Sequence, residues 1–160
     1  MGGFGLIVVA LSLGCSSSTP SGGSDPAAAF AGSWTFTSGS VMPMCTGITI
    51  PDVNLTGDAV VLTRTDATHI HLVTTTGITC DLAFSVSGST ATVAANQVCT
   101  IAAPAPINVA TVNVTGWTLT LSGNTIATSM NGTAAVSVIS CTPTSSGSLS
   151  RDATDAGASG

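Results

Sequence analysis

The chain contains no lysine, no glutamate and no tyrosine, and charged residues make up 6% of its 160 positions. Lys and Glu are the usual fillers of exposed helix faces. Their absence beside abundant Thr, Val, Ser and Gly argues for a sheet protein, and no stretch carries the apolar period of an amphipathic helix. Arg64 and Arg151 are the sole strong cations in a chain of net charge -5. A phosphate-neutralising surface is thereby excluded, and with it a nucleic-acid partner. The mild acidity serves solubility rather than steering. Motifs of catalysis are missing too. There is no Gly-x-Ser-x-Gly elbow, and Gly88-Ser89 and Gly147-Ser148 fall in predicted turns without a positioned base. No phosphate-binding glycine loop is present. Neither an enzyme nor a bound cofactor is expected.

What is present begins with Phe4 to Ser18, FGLIVVALSLGCSSS. As a helix, Phe4 to Leu13 would rise ~15 Å, about half of a bilayer core. It is too short to span. A short apolar run near the N-terminus, ending in small residues, is the core of an export signal with its cleavage site. A plain secretory signal cleaved near Gly14 to Ser18, or an apolar first strand, is the alternative reading. Leu11-Ser12-Leu13-Gly14-Cys15 resembles the signal of bacterial lipoproteins. The resemblance implies that residues 1–14 are a signal peptide, that Cys15 is lipidated as the new N-terminus, and that the membrane is a partner through its acyl chains. Ser16, rather than Asp, follows the cysteine, which in that family implies sorting to the outer membrane. The expected location is the bacterial cell envelope.

Cys45, Cys80, Cys99 and Cys141 remain, an even number suited to disulfides in an oxidising compartment. Between Cys80 and Cys99 lie two alternating runs. Folding them about Ser89-Thr90 sets Phe84 opposite Ala95, Val86 opposite Val93 and Cys80 opposite Cys99, near the separation a disulfide needs. That predicts Cys80 to Cys99 and leaves Cys45 to Cys141, which would join the first and last strands of a sheet closed into a barrel. The spacings do not suit the closely paired ligands of a zinc cluster.

Along the chain, residues 15–29 read as a lipidated cysteine and a flexible Ser, Gly and Pro tether. Residues 30–143 read as one β domain, and residues 144–160 as a polar tail, mostly disordered apart from a short strand near Leu149. Trp34 and Phe36 alternate with Thr35 and Thr37, as a half-buried strand should. Ser40 to Gly57, interrupted by Pro43 and Pro51, is expected to be an irregular cover over one end of the sheet. Turn signals then recur at Asp66-Ala67, Thr76-Gly77, Gly88-Ser89, Pro104 to Pro106, Thr115-Gly116, Gly123-Asn124 and Asn131-Gly132, the last being the strongest hairpin signal. The candidate core is Ile70, Leu72, Leu82, Phe84, Ile107, Val109, Trp117, Leu119, Leu121, Ile126 and Met130. The fold class is all-β: an antiparallel meander of about eight or nine strands, disulfide-stapled, as a closed barrel or a β-sandwich.

Gly32-Ser33-Trp34 at the first strand, followed by such a meander, is similar to the lipocalin superfamily. The resemblance implies a barrel whose closed end is plugged by Trp34 and whose interior takes a small apolar ligand. In that family an Arg covers the Trp, a role open to Arg151 if the tail is ordered. The chain has neither the family's Asp-Tyr dipeptide nor a helical pattern after the last strand.

His69-Ile70-His71 places two imidazoles on one face of a strand, a spacing that suits zinc or copper. Asp66 and Asp81, on adjoining strands, could complete such a set. Ile70 and Leu72 claim the other face for the core, so solvent-facing histidines are the simpler expectation. Met42-Pro43-Met44-Cys45 reads as a soft copper-ligand cluster or, more simply, as core gap-fillers beside a disulfide. Three functions follow: a carrier of a small apolar ligand, a structural or interaction lipoprotein meeting another envelope protein, and metal capture by His69 and His71. A cavity of several hundred Å³ marks the first, on the scale of ordinary ligand pockets; a barrel filled by its own side chains marks the second.

Overall fold

Alternation sets the local structure. In HIHLVT, Ile70, Leu72 and Thr74 turn inward while His69 and Val73 stay exposed, as a pleated strand with one apolar face requires. The same period recurs along the chain in the computed structural model, which describes residues 25–74, 78–102, 109–136 and 139–153. Helix α1 (Pro26–Phe30) precedes β1 (Gly32–Cys45), β2 (Ile48–Thr49), β3 (Val53–Asn54), β4 (Ala59–Arg64), β5 (His69–Thr74) and β6 (Ile78–Ser87). Then come β7 (Thr90–Val93), β8 (Gln97–Ala102), β9 (Val109–Ser122), β10 (Thr125–Val136) and β11 (Ile139–Arg151). Every pairing is antiparallel, most of them between strands close in the chain, and β11 returns to β1, so the meander closes on itself. β7 and β8 share one place between β6 and β9. The result is a closed eight-strand barrel with extra short strands, not a sandwich. β2 and β3 pair with the upper half of β1, where β4 no longer reaches it.

Both expected disulfides form, each between directly opposite residues, with Cα separations of 4.0 Å for Cys45–Cys141 and 4.5 Å for Cys80–Cys99. These are the close, non-hydrogen-bonded type of antiparallel pair. In the ring order the bridges stand on opposite sides of the barrel at the same end. The register between them differs from expectation. The hairpin turns at Gly88-Ser89, so Phe84 faces Val93 and Val86 faces Ala91. Two further residues are absorbed before β8, where Asn96 takes a left-handed backbone (φ 60). Gln97 Oε1 accepts from the Ala83 amide beside this break.

Four other expectations are corrected. Pro26 to Ala29 belong to α1 rather than to a tether, because Asp25 caps the first turn and Ala27 and Phe30 are fully buried. Ser40 to Cys45 continue β1 through Pro43, which stands opposite Pro143. Residues 144–151 are strand rather than tail, paired on both sides by β1 and β10. Gly116, Gly132 and Gly147 lie within strands, and Asn131-Gly132 forms an irregularity in the β9–β10 ladder instead of a hairpin. Gly147 is required by close approach: a Cβ there would meet Ser38 O at 2.5 Å and Gly39 Cα at 2.9 Å, beneath the Phe36 ring. The signal peptide, Cys15, Thr76-Gly77, Pro104 to Pro106, Ile107 and the chain beyond 153 lie outside the described residues.

Candidate functional site

The interior of a barrel this size is either a core or a pocket. Here Phe36, Leu62, Leu72, Phe84, Trp117, Leu119, Ile126 and Leu149 are buried inside it. Phe84 and Trp117 meet edge to face at 6.1 Å, and Trp117 Nε1 donates to the buried Thr128 hydroxyl at 2.7 Å. Among the described residues, one cavity of about 30 Å³ lies between Phe36, Leu55, Val60, Trp117 and Met130. Another of about 10 Å³ lies between Leu62, Leu72, Leu119 and Leu149. Spaces of this size hold at most a few water molecules. Leu55, a residue with no sequence signal of its own, is 4% exposed and belongs to the hydrophobic core. Its amide donates to Gly39 O at 3.0 Å, which holds it there.

One end of the barrel is built around Trp34, which is fully buried. Its Nε1 donates to Phe30 O at 2.9 Å. The Arg151 guanidinium lies 4.3 Å from the ring centroid, a cation–π contact. Its Nη1 donates to Ala31 O at 2.6 Å, and its Nη2 to Ala29 O. Thus the last strand clamps α1 against the first strand. Sequence reasoning missed α1, although Asp25-Pro26 is an N-cap followed by Pro at the first helical position.

The histidines share the outer face of β5 but do not converge. His69 Nδ1 lies 2.9 Å from both oxygens of Asp66, whereas His71 Nε2 lies 2.6 Å from Asp81 Oδ1. All four side chains are substantially solvent-exposed. Among the described residues, no three of His, Cys, Asp or Glu gather as a ligand set. Met42 and Met44 are 42% and 61% exposed rather than gap-filling, and Cys45 is committed to its disulfide.

Asp66 has a displaced titration. The Thr68 backbone amide, donating at 2.7 Å, is the main cause, with His69 next, and together they hold the carboxyl at about 2 against an ordinary 3.8. Because the folded value is lowered, these contacts stabilise the turn above pH 3.8 and are lost as pH falls toward 2. A carboxyl carbon NMR titration is expected to place the Asp66 midpoint near 2. A midpoint at the ordinary value would show that the Thr68 bond does not persist in solution.

The chain was compared with protein-family models, with curated proteins and with solved structures. None matches it. The fold and the side-chain geometry therefore carry the functional reading.

Proposed function

We propose that this chain is a non-catalytic cell-envelope lipoprotein, anchored through Cys15, whose barrel is a structural or interaction module rather than a carrier. The observation that supports this reading is the packed interior. Each of the two cavities among the described residues is far smaller than the several hundred Å³ of ordinary ligand sites. The outer wall supports a water-facing role as well. Thr111, Asn113, Thr115 and Thr120 on β9, and Thr125, Ser129, Asn131 and Thr133 on β10, are exposed. A lipid-embedded barrel has the reverse pattern, apolar outside and polar within.

Trp117 borders both cavities and reports on them. Titration with hexadecanoate is expected to leave the Trp117 fluorescence of a Trp34→Phe variant unchanged. A saturable one-to-one change would sink the filled-core reading and restore the carrier. The anchor is tested separately, by the intact mass of protein extracted from its native membrane. Residues 15–160 plus acyl chains are expected there, and an unlipidated species would overturn the lipoprotein reading.

A further inference from the structure

The chain enters the folded domain at a fixed place. Asp25 pairs with Arg64 at 2.7 Å, the Ala27 amide donates to Ala67 O at 3.2 Å, and Arg151 holds the Ala29 and Ala31 carbonyls. All of these contacts are at the Trp34 end, beside the turns 65–68, 88–89 and 123–124 that close β4–β5, β6–β7 and β9–β10. Both disulfides, with Met42, Met44 and Ile48, stand at the opposite rim. Residue 15 is ten positions before Asp25, a length of chain that reaches at most about 36 Å. β1, with its 14 residues, climbs roughly 35 Å along a barrel whose strands tilt by about 40°.

The turns at the Trp34 end carry none of the exposed large apolar residues: Met42, Met44 and Ile48 stand at the opposite rim, while Val61, paired with Ser33, and its partner Val73 lie on the outer wall near this end. Of its cations, Arg64 is engaged by Asp25, and Arg151 is turned onto Trp34 and the α1 carbonyls. Asp25, Asp66 and Asp152 leave it acidic. The wall is largely polar along β9 and β10, with Val61, Val73 and Val98 as its exposed large apolar residues. An anchored barrel is then excluded from the bilayer by volume and held only by its entry point.

We propose that the barrel stands on the membrane with its Trp34 end toward the lipid and its disulfide-stapled rim directed away. This rests on the anchoring of Cys15 proposed above. The test uses the full-length protein recovered from its membrane, with one cysteine added at Ser89→Cys or Asn124→Cys near the Trp34 end, or at Thr49→Cys or Asp52→Cys near the rim. With Cys15 acylated and the other cysteines bridged, the added thiol alone takes a donor dye. Two positions per end guard against a variant that fails to fold. Each protein is placed in phosphatidylethanolamine–phosphatidylglycerol vesicles containing an acceptor-labelled lipid. Energy transfer from positions 89 and 124 is expected to exceed that from 49 and 52 by roughly twofold or more, given a height difference of about 35 Å. Equal transfer from both ends, or more from the rim, in a protein of acylated mass overturns the orientation alone. An unacylated mass overturns the anchor and the orientation together.

Discussion

Replacing Cys45 and Cys141 together by Ala is expected to lower the unfolding free energy by about 4.5 kcal/mol, more than the loss of the other bridge. The bridge closes a sequence separation of 96 residues, against 19 for Cys80–Cys99. Chain entropy in the unfolded state scales with the logarithm of that length, which gives about 4.5 kcal/mol for the first bridge and about 3 kcal/mol for the second. Topology adds to the difference. Cys45–Cys141 joins the strands at which the meander closes, so its loss removes the covalent link from a seam whose two strands no turn connects. Cys80–Cys99 only reinforces a region already joined through the Gly88-Ser89 turn. Urea unfolding of the two double-Ala variants, compared with the oxidised parent, measures both. If the Cys80/Cys99 variant were the weaker protein, the loop-length argument would be wrong for this barrel.

Trp34→Ala is expected to cost about 3–5 kcal/mol, in the range for a large aromatic removed from a packed core. The ring is fully buried, and its removal also leaves Phe30 O without its donor and Arg151 without the face it covers. Arg151→Ala is expected to cost less, about 1–3 kcal/mol, through the cation–π contact and the two carbonyl bonds. The two changes share partners, so they should not add. A double-mutant cycle is expected to give a coupling of about 0.5–2 kcal/mol. Additive losses would mean that Arg151 stabilises α1 alone and contributes nothing through Trp34.

Sequence alone determined the fold class, the disulfide partners and most of the core. These depend on local or pairwise signals: strands alternate with period two, as in Ile70 and Leu72 or Trp117 and Leu119, and cysteines on facing strands find each other. The histidines' outward direction followed from the same alternation. Metal chemistry at them was not decided by it, because it depends on where Asp66 and Asp81 point, and each took its own histidine.

Closure into a barrel, the packed interior and the Trp34–Arg151 clamp were decided only by the tertiary structure. The strand that closes the ring reads as a polar tail because two of its positions against large neighbours must be small. Ser145 is buried opposite both Val41 and Met130, and Gly147 lies under Phe36, where no side chain fits. Gly132 is similar: a Cβ there would sit 2.7 Å from Val112 Cγ1, so a residue that signals a turn serves close packing within β10. In each case the large neighbour that fills the space comes from a different strand. Hydrophobic periodicity reports how one strand faces its core, but not how much room that core leaves it, and that room is set by side chains far away in the sequence, as Phe36 is from Gly147.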